Sequence, residues 1–229
     1  MIILRGWRAA AAGAACLAAV LVPAAMPSSS AAASAPQSAV LPADLPEPPA
    51  ADVARAELAD LVVEAPHAMA GYSRAKFPHW ASQGQNCDTR EVVLQRDGQD
   101  VKADEQCRAI SGTWTSAYDG KVLTSASQID VDHIVPLANA WRSGADTWTT
   151  ARRKAFANDL EGPQLLAVSA SSNRAKGDQS PDQWSPPDTA YWCVYARAWT
   201  HVKTVYGLSA TDPEKAKLAQ MLDTCPANV

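Results

Sequence analysis

Ile129-Asp130-Val131-Asp132-His133-Ile134-Val135-Pro136 is the stretch whose reading decides the fold. Ile129 and Val131 alternate with polar residues, so Gln128–Val135 is expected as a strand, stopped by Pro136. Its end carries a carboxylate beside an imidazole. On an extended strand those two side chains leave opposite faces, so a bend or bulge is required to aim both at one site. Forty positions further on, Asn173-Arg174-Ala175-Lys176 offers a neutral amide oxygen, with Ser171 and Ser172 as capping residues of a short helix. A carboxylate and an amide oxygen suit a hard divalent cation, and the imidazole suits a proton acceptor. Together they point to metal-assisted phosphodiester hydrolysis.

The flanking sequence reads as mixed helix and strand. Trp114–Tyr118, Asp119-Gly120 and Lys121–Thr124 form the pattern of a hairpin with an Asp-Gly turn. Gln164–Ser169 is a short apolar strand, and Trp148–Ala157 and Ala51–Glu64 have helical spacing. Tyr191–Tyr206 repeats aromatic residues at three- and four-residue steps, the buried face of a helix rather than a base-stacking platform. Asp212-Pro213 opens a last helix as cap and first-turn proline. No internal repeat is present, and residues 51–229 suffice for one domain.

The N-terminus runs from Arg5 and Arg8 through the uncharged Ala9–Val22 to small residues ending in Ala31-Ala32-Ala33. That order is a secretory signal over residues 1–33. A membrane anchor would need about 20 strongly apolar residues, and this alanine-rich run is broken by Pro23. A lipid-modified Cys16 would leave too short an apolar segment ahead of it. Residues 34–50, with five prolines and no aromatic side chain, read as an extended, disordered Pro/Ala-rich linker. Cleavage after Ala33 leaves Cys87, Cys107, Cys193 and Cys225, an even number in an exported chain, hence two disulfides. Three pairings are possible, and the local one, Cys87–Cys107 with Cys193–Cys225, is expected. No Cys-x-x-Cys pair supports a zinc thiolate site.

The chain carries 20 basic and 24 acidic residues. Loss of residues 1–33 removes two arginines, leaving 18 against 24, a net charge of −6. That balance argues mildly against a phosphate-binding surface. Residues 131–178 are slightly basic, with Arg142, Arg152, Arg153, Lys154, Arg174 and Lys176. For Arg152-Arg153-Lys154, a solvated helix face and contact with DNA explain the charge equally.

Asp132–Leu137 (DHIVPL), Ala140–Gly144, Phe156–Leu160, Pro163–Val168, Ser172–Asp178 (SNRAKGD) and Pro181–Trp184 resemble the HNH (His-Me finger, ββα-metal) endonucleases. The likeness is closest to secreted HNH proteins related to the C-terminal domain of GmrSD-type restriction enzymes. It covers about residues 70–226, including Cys87-Asp88-Thr89-Arg90 and the last cysteine pair. It implies an α+β fold with a ββα-metal core, flanking helices and two disulfides, over residues 51–229. It further implies a secreted endonuclease acting on DNA, with RNA as an alternative, and one divalent cation, Mg²⁺ first, then Mn²⁺ or Zn²⁺.

In that resemblance His133 is the general base, Asp132 and Asn173 hold the metal, and Lys176 contacts phosphate, with Arg174 and Arg142 as further substrate contacts. The position that orients the base, usually Asn, is Gln164 here, the same amide on a longer arm. Asn158 is the alternative. Asp88 and Arg90 are expected near the site, with a buried salt bridge of Arg90 as an equal alternative, and Trp184 packs over the motif. His67, His79 and His201 are expected to serve packing or surface roles. No membrane or obligate protein partner is expected after signal removal. A second reading is a catalytically inactive binding module on the same scaffold.

Overall fold

The computed structural model describes residues 45–227; the signal sequence expected at 1–33 lies outside them. In chain order the elements are α1 (Ala51–Asp60), β1 (Ser82–Gly84), β2 (Cys87–Asp88), α2 (Thr89–Asp97), β3 (Gln99–Ala103), β4 (Ala109–Thr115), β5 (Val122–Leu123) and β6 (Ile129–His133). After these come α3 (Leu137–Arg142), α4 (Thr150–Ala157), β7 (Leu165–Ser169), α5 (Ala170–Lys176), α6 (Trp192–Tyr206) and α7 (Asp212–Leu222). The protein is α+β with two disulfides, Cys87–Cys107 and Cys193–Cys225. No described helix is long and apolar enough to cross a membrane.

Three antiparallel sheets carry the strands: β1 with β2, β3-β4-β5, and β6 with β7. β6 and β7 pair without a break from Ile129↔Ser169 to His133↔Leu165, so the strand contains no bulge at the Asp-His pair. Ile129, Val131, Leu165 and Ala167 face a small cluster with Val93 and Leu94 of α2 and Trp114 of β4. Leu166 and Val168 face the main core of α1, α3, α6 and α7 side chains. Covered on both faces, β7 is buried at every position, and its sequence is correspondingly apolar throughout.

α2 closes the edges of this hairpin. Arg90 donates to the Ile129 carbonyl at 3.1 Å, Arg96 donates to the Leu165 carbonyl, and Asp97 accepts from the Ala167 amide at 2.7 Å. Backbone groups left open at a strand edge invite foreign pairing; here side chains satisfy them. Asp88 forms the capping box of α2 with Glu91, so Asp88 and Arg90 support the hairpin and do not line the site cleft.

Several local expectations are adjusted. Ser169, not Ser171 or Ser172, caps α5 by accepting from the Ser172 amide. Thr211 caps α7 in a capping box with Glu214, which shifts Asp212 and Pro213 inside the helix. The aromatic stripe of α6 is core, with Tyr195 and Trp199 fully buried. Residues 45–50, read as disordered linker, are docked: buried Arg197 donates to the Pro48 and Pro49 carbonyls and to Glu47. A buried guanidinium requires acceptors, and this extended segment supplies them. Arg153 of the basic run is likewise buried, donating to the Lys76, Ala145 and Trp148 carbonyls.

Candidate active site

β6 ends at His133, and Pro136 then opens α3. At this end a cleft of about 260 Å³ is lined by Asp132, His133, Asn173 and Arg174, together with Tyr72 and Arg74. The expected bulge is absent, and Asp132 and His133 nevertheless both line this opening at the strand terminus.

His133 is 4% exposed, with Trp80 stacked on its ring at 5.7 Å between centroids and 25° between planes. Its Nε2 lies 3.0 Å from the Ala157 carbonyl. That oxygen belongs to the last turn of α4, where carbonyls lack helical partners. A carbonyl only accepts, so Nε2 carries the proton and Nδ1 keeps its lone pair in the neutral ring. Burial, opposed by the Ala157 bond and reinforced by the charge of Arg74 and Lys176, pushes the imidazole down to about 3. The ring is therefore neutral across the working pH range, well below the ordinary value near 6.5 expected from sequence.

Asp132 faces the main core. Its Oδ2 accepts from Tyr118 Oη at 2.5 Å and from Lys176 Nζ at 2.6 Å. Lys176 is 0% exposed and also donates to the His133 carbonyl at 2.8 Å. Burial pushes the Asp132 carboxyl up and the Lys176 ammonium down, and their mutual attraction opposes both shifts. The expected phosphate contact by Lys176 is thus replaced by a structural one, because the helix turns this ammonium inward.

Gln164 is fully buried and does not touch the imidazole. Its side-chain oxygen accepts from Val135 N at 3.1 Å and its nitrogen donates to Val135 O at 2.9 Å, while its own carbonyl accepts from Ile134 N at 2.8 Å. Three bonds from one residue fix the backbone just after His133. Asn158 does not reach the ring either; it binds backbone at Pro78, Ala81 and Lys154. Asn173 donates from Nδ2 to Asp130 Oδ2 at 3.2 Å, which leaves its amide oxygen unengaged with Asp130. Arg174 is exposed, 3.8 Å from Asp130. Arg142 pairs with Asp178 at 2.8 Å and lines a neighbouring cleft, not this one.

Sequence reasoning missed Arg74, Tyr72, Trp80 and Tyr118 here. Arg74 donates from Nε to His79 Nε2 at 3.3 Å, and His79 Nδ1 in turn meets the Phe77 carbonyl at 2.9 Å. The available signal was the interleaving of Arg74 and Lys76 with Tyr72, Phe77 and Trp80. His67 and His201 pair with Asp146 and Glu57, and Trp184 packs edge-on against Tyr118 at 5.2 Å.

Asp132 and Asn173, the two lining residues with hard side-chain oxygens considered for a cation, are of the donor type that a divalent ion accepts. Among the described residues no cluster of three or more His, Cys, Asp or Glu side chains is arranged to hold a metal. Lys176 on Asp132 Oδ2 leaves only the other carboxylate oxygen for that purpose.

A disulfide-bonded α+β domain with an acid, an imidazole and an amide around one cleft defines a class that comparison narrows. The family of the C-terminal domain of GmrSD restriction endonucleases matches residues 88–221. A protein of Arthroderma benhamiae named as an uncharacterized secreted protein is 52% identical over 187 residues, covering 80% of this chain and 92% of that one. No solved structure matches significantly. The chain belongs to the GmrSD restriction endonuclease C-terminal domain family, a nuclease-related domain. It is secreted, the location carried in that relative's name.

Proposed function

We propose that the protein is a secreted HNH-type endonuclease that hydrolyses phosphodiester bonds of DNA, with RNA as an alternative substrate. The observation that carries this reading is the imidazole of His133, pinned through Nε2 to the Ala157 carbonyl at 3.0 Å beside Asp132 and Asn173. Nδ1 is then the one ring nitrogen free to take a proton from water. The low proton affinity of the buried ring keeps it unprotonated and ready, at the cost of basic strength. Lys176 holds the carbonyl of His133 itself, and Gln164 holds the backbone two residues further on. Arg74 and Arg174 are the cations bordering the cleft, and they would receive the substrate's phosphates.

Asp132 and Asn173 would hold one divalent cation, Mg²⁺ first. Such an ion, when bound, supplies charge stabilisation to the scissile phosphate and its leaving oxygen. Every other role falls to the chain: His133 accepts the proton, the arginines orient phosphate, and Trp80 keeps bulk water from one ring face.

The test is plasmid cleavage with Mg²⁺, Mn²⁺ or Zn²⁺, beside His133→Ala and a chelator control. Cleavage lost in both controls is expected; no cleavage by the wild type with any of these metals overturns the reading. The ion pair of Lys176 with Asp132 favours a second reading, a module that retains nucleic acid without cutting it. Retention of DNA without cleavage in the same assay supports that one.

A further inference from the structure

We propose that Trp80 and Asn158 are positioning residues for His133: Trp80 fixes the plane of the imidazole, and Asn158 fixes the loop that carries Trp80. This rests on the reading of His133 as the base.

Trp80 stacks nearly parallel on His133, and His79 meets the same indole edge-on at 5.3 Å. Trp80 adopts φ 57°. A bulky side chain rarely takes that left-handed conformation, which persists only where the surroundings over-determine it. Asn158 provides that constraint. Its Nδ2 donates to the Pro78 and Lys154 carbonyls at 2.7 Å each. Its Oδ1 accepts from Ala81 N and Thr89 Oγ1 at 2.8 Å each. All four bonding positions of the amide are used, and the Pro78 and Ala81 bonds bracket Trp80 on both sides. Thr89 N adds a bond to the Ala81 carbonyl at 3.0 Å.

Asn158 also directly follows Ala157, whose carbonyl receives His133 Nε2–H. One residue thus anchors both partners of the ring, the stacked indole and the accepting carbonyl. The imidazole can neither tilt nor exchange its proton between nitrogens without disturbing this clamp. Misplacing a reacting group by about 1 Å costs roughly 10²-fold in rate.

The experiment compares Trp80→Ala, Trp80→Phe and Asn158→Ala with wild type, reading kcat and KM on a short DNA duplex. Nitrogen-15 spectra of the histidine rings report the tautomer independently. The expected result is a kcat lower by about 10- to 100-fold in Trp80→Ala and Asn158→Ala, with KM unchanged. Trp80→Phe, which restores a stacking face, is expected to recover most of the rate. His133 is expected to be all Nε2–H in wild type and mixed in Trp80→Ala. An unchanged kcat in Trp80→Ala, or a rise in KM alone, overturns the proposal. Should Asn158→Ala fail to fold, the two Trp80 variants decide. If the wild type cleaves nothing, the functional reading falls, and the ring spectra still judge the clamp: a locked tautomer released in Trp80→Ala supports it, and identical spectra overturn it.

Discussion

Arg174 and Lys176 stand two positions apart on α5, and the helix turns them to opposite fates. Arg174 is exposed at the cleft, whereas Lys176 is wholly buried against Asp132 and the His133 carbonyl. Removing one partner of a buried pair leaves an uncompensated charge, at about 3–5 kcal/mol. Lys176→Ala is therefore expected to lose stability on that scale by urea unfolding. Arg174→Ala should stay within about 0.5 kcal/mol. The salt dependence of DNA binding separates the two again: the slope should fall by about one phosphate contact in Arg174→Ala, and likewise in Arg74→Ala. Gln164 has a different kind of role. Truncation to Ala leaves the Val135 amide and carbonyl unpaired in the interior, at about 1–3 kcal/mol for each group. Because His133 is two residues away, kcat is expected to fall with KM unchanged, measured beside unfolding curves.

At the level of elements, the turn between β4 and β5 is tied to the start of α5. Asp119 Oδ2 accepts from Ser169 Oγ at 2.7 Å and Ser172 Oγ at 2.8 Å, and pairs with Lys121 at 2.9 Å. Burial pushes this carboxyl up, but the Lys121 and serine bonds outweigh it and hold it well below the usual carboxylate range. A carboxyl lowered on folding contributes stability above its unfolded value, near 3.9, and loses it as pH falls further. The melting temperature is thus expected to drop more steeply below about pH 4 in the wild type than in Asp119→Asn. A flat difference across that window would deny the tie. Between α2 and β3, Gly98 approaches Trp114 closely, and a Cβ there would lie 2.6 Å from the indole Nε1 that donates to Leu94 O. Gly98→Ala is expected to destabilise by about 1–3 kcal/mol through overpacking, measurable as a lower urea midpoint.

Over the whole molecule, the two disulfides act on elements that pack against the β6–β7 pair. Cys87–Cys107 holds the start of α2, the helix that closes the hairpin edges, and Cys193–Cys225 joins α6 to the chain after α7. Loops of 20 and 32 residues are each worth about 3–4 kcal/mol in the chain-entropy account. Paired Cys→Ala replacement at either site is expected to lower the unfolding free energy by that amount. Much of the architecture was legible in the sequence. The alternation at 129–133, the apolar run at 165–169 and the aromatic stride of α6 each specify their element locally, because side-chain period follows backbone geometry. Asp132, His133 and Asn173 were readable as a set from their chemistry and from the family resemblance, not from the strand period, and they line one cleft. The strands β1 to β3 and the helix α2 were not read, since short, polar, half-exposed segments carry little periodicity. What the sequence determined alone was which residues share a strand or a helix face and that four cysteines remain to form two disulfides, with the local pairing expected among three. Only the tertiary structure decided that Lys176 turns inward, that Gln164 grips backbone instead of the ring, and that Trp80, fifty-three residues before His133, lies upon it. Burial and partners depend on what other elements bring from far along the chain, and no local pattern encodes that.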